Sequence, residues 1–167
     1  MTEGTTSRAG PLPAASGYHR TMTEPATISY RPARPDDAER IAALFTDEGY
    51  PAGPSDIVDR LARFADETSR VVVADSGGEV LGFIAVHAMP RFEHGDRIVR
   101  ILALVVDPGV RERGVGHALM AEAEAFGRDL GAAFIEVTAG HHRAEARRLY
   151  EAVGYDGSVS AYLRKKL

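Results

Sequence analysis

Apolar residues in this chain fall into short runs whose period switches between two and roughly 3.6, and each switch marks an element. Alternation at Thr27–Arg31 predicts a first strand, after which Pro32 and Pro35 bracket a turn into Asp36-Asp37-Ala38-Glu39, a helix-start pattern with an acid three residues after the cap. A first helix is expected over about Asp37–Asp47, with Ile41, Leu44 and Phe45 on one face. Gly49 to Pro54 carries too much glycine and proline to continue it, and Ser55 is the expected cap of a second helix bearing Ile57, Val58, Leu61 and Phe64. The β run Arg70–Ala74, the tight turn Asp75-Ser76-Gly77-Gly78 and the run Val80–Ala88 predict a hairpin. Met89 to Arg97 is a polar loop, and Ile98–Val106 is apolar enough for a central strand.

A third helix is predicted over Val115–Leu130, where Val115, Leu119, Phe126 and Leu130 recur at intervals of 4, 7 and 4 before Gly131. Ala133–Thr138 returns as a strand, and a strand, helix, strand unit of this length makes a parallel pair with a right-handed crossover. A fourth helix spans about Ala144–Val153, with Ala146, Leu149, Tyr150 and Val153 on one stripe, and a last strand covers about Ala161–Lys165.

Residues 1–26 hold no sustained apolar period and are rich in Thr, Gly, Pro, Ala and Ser, so they are expected to be a flexible leader, without the apolar segment of a signal peptide. Met22 opens a more ordinary start, and residues 1–21 are expected to be dispensable. Residues 27–167 then form one domain, for which 44% hydrophobic content is ample. A formal charge of -4 with no basic stretch argues against nucleic acid as a partner. The lack of cysteine excludes disulfides, a thiolate nucleophile and thiolate zinc sites, in keeping with a cytoplasmic protein. No run approaches the ~20 apolar residues of a membrane helix, and His141-His142 has no third ligand at recognisable spacing, so no membrane and no metal is expected.

The chemistry concentrates where the central strand stops at Asp107-Pro108 and the third helix begins near Gly114. A helix start presents unpaired N–H groups and a partial positive charge, and Arg111 and Arg113 beside Gly114 and Gly116 suit a bound diphosphate. A P-loop would need a lysine and a hydroxyl residue that this turn does not have. A dinucleotide fingerprint matches Gly114 and Gly116, with Glu136 about where a ribose-binding acid is expected, but fails at Leu119. The form Arg-x-x-Gly-x-Gly/Ala fits completely. It resembles the acetyl-CoA pyrophosphate loop of the GNAT N-acyltransferase superfamily, and two further stretches agree in order and spacing: Leu104 to Pro108, and Ala146-x-x-Leu149-Tyr150-Glu151-x-x-Gly154-Tyr155. The wider pattern is similar to bacterial members of aminoglycoside type and to uncharacterised ones.

The resemblance covers roughly Ile28 to Leu167 and implies a mixed α/β fold: six or seven strands, parallel central strands that splay apart, and about four helices. It implies that the backbone of Leu104, Val105 and Val106 pairs with the pantetheine arm of acetyl-CoA. The turn Arg111, Glu112, Arg113, Gly114, Val115, Gly116, His117 and Ala118 would hold the pyrophosphate. A neutral amine would attack the thioester directly, with the oxyanion met by an N–H near Val105 or Val106. Tyr150 matches the general acid, and a phenol near pKa 10 donating to a thiol near 8.5 is uphill by ~2 kcal/mol. The acceptor is expected to be a primary amine on a small molecule, lying beside Tyr50 to Pro54 and Met89 to Arg97, where Tyr50 and Phe92 could frame it. An N-terminal or lysine protein acetyltransferase, or an acyl-CoA sensor without turnover, are the alternatives. A homodimer through the C-terminal strands is also implied.

Two positions depart from the superfamily's pattern. Seven residues before the tyrosine, where many members carry a cofactor-touching Asn, stands Arg143, which is expected to meet a phosphate or a structural partner. On the fourth strand, Arg100 and Leu102 stand where many carry a carboxylate that relays the amine's proton. Replacement bases are Glu93, His94, His87, Glu136 and His141, each with a simpler reading as a loop, strand or half-buried polar residue.

Overall fold

The computed structural model describes residues 27–140 and 143–167. Its framework is a five-stranded sheet in the order β1 (Ile28–Pro32), β2 (Ser69–Ser76), β3 (Glu79–Pro90), β4 (Arg97–Val106) and β5 (Ala132–Val137), antiparallel from β1 to β4 and parallel between β4 and β5. Helices α1 (Ala38–Asp47) and α2 (Pro54–Arg63) cover one face, and α3 (Val115–Asp129) and α4 (Ala144–Ala152) pack on the other. The period-two runs therefore divide their side chains between two cores. Ile84, Val86, Val99 and Ile101 meet Leu119, Met120 and Phe126 of α3, while Phe83 and Val105 meet Ile41, Leu44 and Ile57 of α1 and α2.

Each predicted helix and each of the first five strands exists, with ends that move by a few residues. Helix α2 begins at Pro54 and is capped at Gly53, where Asp56 accepts the Gly53 N–H at 2.9 Å, so Ser55 lies inside the first turn. Proline suits that first position because its missing N–H has no partner there in any case. Helix α3 stops at Gly131 and α4 at Gly154, with φ of +65° and +93°.

The expected sixth or seventh strand is a correction. Among the described residues no regular element follows α4, and Ala161–Lys165 is not a strand. Tyr162 and Leu163 are consecutive, so no apolar face alternates there, and the following Arg164-Lys165-Lys166 gives such a strand nothing to bury. Upstream, Asp156 accepts the Ser158 N–H at 2.8 Å and bends the chain.

Two irregularities in β4 leave part of this strand exposed along one edge. Ile101 pairs with Val86 while Ala103 pairs with Ala85, which makes Leu102 the extra residue of a bulge. Pairing with β5 also ends at Ile101 opposite Val137, so Leu102–Val106 has no neighbour on that side among the described residues. This is the expected splay, and it opens towards the start of α3.

Candidate functional site

The free edge of β4 leads directly into the turn that precedes α3. Asp107 fastens that turn: its carboxylate accepts the Gly109 N–H at 2.7 Å and pairs with Arg40 of α1, and its own N–H donates to Leu81 O at 2.8 Å. Glu112 and Gly114 then take positive φ, 67° and 78°, which turns the chain back into the helix. The first intrahelical bond runs from the Ala118 N–H to Gly114 O at 3.0 Å, so the N–H groups of Val115, Gly116 and His117 precede the helical ladder. Gly116 has a second reason for being glycine, since a Cβ there would sit 3.2 Å from Leu149 of α4. The two helices can approach at this end because a side chain is missing.

Arg111 and Arg113 are exposed beside this N-terminus, as is His117. Arg111 reaches Glu48, the residue that ends α1, at 2.8 Å, and Arg143 reaches the same carboxylate at 3.1 Å. The Arg143 guanidinium also lies 5.5 Å from the centre of the Tyr50 ring. Arg143 therefore has a structural partner. Arg111, Arg143, Glu48 and Tyr50 form one cluster joining the turn, α4 and the loop after α1. The sequence reading missed Glu48, although a signal was present: a carboxylate at a helix C-terminus opposes the helix dipole and calls for some other partner.

Tyr150 is half-buried on the inner stripe of α4, packed against the α3-side core. Burial pushes its phenol above the ordinary value, and Arg143 offsets part of the rise. Its ring lies 5.8 Å from that of Tyr155, whose hydroxyl is buried without a hydrogen-bond partner among the described residues. Leu104 and Val106 turn their side chains to the same core as Tyr150, whereas Val105 points to the α1 side.

The replacement bases do not gather at this centre. Glu136 is paired with Arg100 across the β4–β5 ladder, His87 shares a 3.0 Å hydrogen bond with Ser69, and Glu93 and His94 are exposed in the loop closed by Arg91 and Asp96. Phe92 of that loop projects into solvent, and His141 and His142 lie outside the described residues. Among the described residues, no three His, Asp or Glu side chains converge as a metal site would require, and no helix is long and apolar enough to cross a membrane.

The sheet splays at its parallel pair, and the N-terminus of α3, where anions are commonly held in proteins, follows the end of β4. Comparison with known proteins gives that architecture its class. The model of the acetyltransferase (GNAT) family matches residues 36–155, and the chain belongs to that family. It is 29% identical over 134 residues to the uncharacterized N-acetyltransferase YhfO of Bacillus subtilis, covering 77% of this chain and 90% of the relative. It is 30% identical over 165 residues to the streptothricin acetyltransferase of Streptomyces lavendulae, covering 81% of this chain and 85% of the relative. An aminoglycoside N-acetyltransferase solved in complex with CoA shares the fold at a TM-score of 0.75 and 14% identity, covering 87% of this chain and 98% of that one. The protein is an acetyltransferase enzyme, and acyl transfer is its reaction.

Proposed function

We propose that this enzyme transfers the acetyl group of acetyl-CoA to the primary amine of a small molecule. The observation that carries the proposal is the edge Leu102–Val106, unpaired on the β5 side among the described residues and joined by the turn 107–114 to the N-terminus of α3. In this reading the backbone of Leu104, Val105 and Val106 pairs with the pantetheine arm as a further strand would. The N–H groups of Val115 to His117 and the guanidinium groups of Arg111 and Arg113 take the pyrophosphate. Glu112 and Gly114 contribute the backbone turn, and Ala118 closes the first helical bond behind it.

The amine attacks in its neutral form and the carbon–sulfur bond breaks, with the proton of Tyr150 going to the departing sulfur. Burial lifts Tyr150, so donation costs more than the ~2 kcal/mol of an unperturbed phenol–thiol pair, and the nearby Arg143 recovers part of it. With Glu136 held by Arg100, no free carboxylate stands on β4 or β5 among the described residues to deprotonate the acceptor, and its proton leaves to water through the open splay. The rate is accordingly expected to climb with pH until the acceptor amine's own pKa is reached. A limb between pH 5 and 7 would instead point to a positioned carboxylate or histidine.

We also place the enzyme in the cytoplasm, where acetyl-CoA is supplied, and read it as a homodimer. Exposed Val159, Tyr162, Leu163 and Leu167 in the C-terminal segment support an association surface, to be checked by sedimentation of the purified chain. The primary test is calorimetric titration with acetyl-CoA, with thiol release followed over a panel of amines. Replacing Arg111 and Arg113 together by Ala is expected to weaken acetyl-CoA about tenfold or more at low salt and by less at high salt. Unchanged affinity would overturn the assignment of the turn.

A further inference from the structure

On the α1–α2 side of the sheet, directly against the β4 bulge, lies an apolar cavity of about 170 Å³. Its origin is visible in the strand pairing. Ala85 of β3 and Ala103 of β4 face each other across the ladder, and two methyl groups stand where larger side chains would fill the space beneath the helices. Phe45 and Phe83, 4.9 Å apart and edge to face, form one wall, and Ile57 and Leu61 of α2 form another. The bulge turns both Leu102 and Ala103 into the cavity, although consecutive strand residues ordinarily face opposite sides. Leu102 is 51% exposed and sits at the opening.

The cavity therefore meets β4 where the splay begins. In the acetyl-transfer reading, on which this inference rests, the acyl end of the donor lies along the edge just beyond Leu104. Among the described residues, Arg60 is the one charged side chain that lines the cavity. Its guanidinium lies 5.7 Å from the centre of the Phe45 ring, and it pairs with no carboxylate among the described residues. A purely apolar cavity of about 150 Å³ is large enough to take benzene. The space here fits one compact apolar group; among the described residues Arg60 is the one hydrogen-bonding side chain that lines it, and its guanidinium repels a second ammonium.

We propose that this cavity is the acceptor's side-chain subsite: it takes the branched alkyl or phenyl group of a small primary amine that also carries a carboxylate, and Arg60 meets the carboxylate. The acceptor class is that of free α-amino acids with leucine-like or phenylalanine-like side chains. Polyamines, amino sugars and aminoglycosides are excluded by the same walls, because each would strand polar groups in an apolar space.

The test compares thiol release with leucine and phenylalanine against isoamylamine and phenethylamine, which lack the carboxylate, and against lysine, spermidine, glucosamine and kanamycin. Leucine or phenylalanine is expected to exceed the polar amines in kcat/KM by about ten- to hundredfold, the worth of burying one such side chain. Arg60→Ala is expected to erase the advantage of leucine over isoamylamine while keeping the preference for an apolar group. Ala85→Leu, which fills the cavity, is expected to shift the preference towards glycine and alanine with acetyl-CoA affinity unchanged by calorimetry. A best substrate among the polar amines, or an Ala85→Leu profile like that of the wild type, would overturn the inference and leave acetyl transfer standing. Failure of the wild type to bind acetyl-CoA would instead remove the reading beneath it, and the subsite with it.

Discussion

A phenol gives up its proton less readily the further burial lifts its pKa, and Tyr150 is both half-buried and near a cation that acts the other way. The proposed acid is thus tuned by Arg143 as well as by its own surroundings. Tyr150→Phe is expected to lower kcat by about 10²-fold or more with little change in acetyl-CoA affinity, measured by thiol release and calorimetry on the same preparation. Equal rates in the two proteins would reduce Tyr150 to a packing residue. Glu48 makes a second prediction at this scale, because its carboxylate occupies Arg111, one of the two guanidinium groups proposed to take the diphosphate. An exchange of partners between partly exposed charges is worth up to ~1 kcal/mol, so Glu48→Gln is expected to tighten acetyl-CoA binding about two- to fivefold. Weaker binding would show instead that Glu48 holds Arg111 and Arg143 in place for the ligand.

At the scale of elements, the hydrophobic period was readable because each face has one clear destination. Ile41, Leu44 and Ile57 serve one core, Leu119 and Phe126 the other, and the glycines at 131 and 154 end helices α3 and α4 where expected. The Arg111 to Gly116 turn was legible for the same reason, since its requirements are local. What lay hidden depends on long-range register. Nothing near Leu102 announces the bulge, which arises from how β4 meets β3, and no local pattern pairs Glu48 with residues 63 and 95 positions away. The missing last strand shows the reverse error, in which strand-like residues lacked the alternating apolar face that would seat them on the sheet. Long-range charge also secures the start of α1. Arg31 of β1 donates to both Asp37 oxygens at 2.8 Å and reaches Asp75 of β2 at 2.7 Å, while Asp37 accepts the Arg34 N–H at 2.7 Å. Asp37→Asn keeps the shape and removes the charge from a buried position, and a loss of roughly 2 kcal/mol is expected by urea denaturation.

The whole molecule carries groups displaced in opposite directions, and together they set the pH range over which it is stable. Arg31 holds Asp37 below the ordinary 3.8, and the Gly78 N–H with Arg31 does the same for Asp75. Burial holds Tyr30, Tyr150 and Tyr155 above the ordinary 10.0. A carboxyl with a lowered pKa contributes stability that is present above about pH 4 and is lost as the pH falls through the folded-state value. A phenol with a raised pKa makes no difference below pH 10, where both states hold the proton. Above it the unfolded chain ionises first and stability falls. Urea midpoints from pH 2 to 11 should therefore form a plateau with a drop at each end. Tyr155 is the most informative position on the alkaline side, because its hydroxyl is buried without a partner among the described residues and burial is the largest cause of its rise, ahead of Glu124 and Tyr150. Tyr155→Phe removes an unpaired polar atom and the ionisation together. It is expected to stabilise the protein by about 1 kcal/mol at neutral pH, or roughly 3 °C in Tm, and to make the alkaline drop shallower. Destabilisation at pH 7 would mean that the hydroxyl has a partner in solution, and an unaltered alkaline limb would assign that limb to Tyr30 and Tyr150.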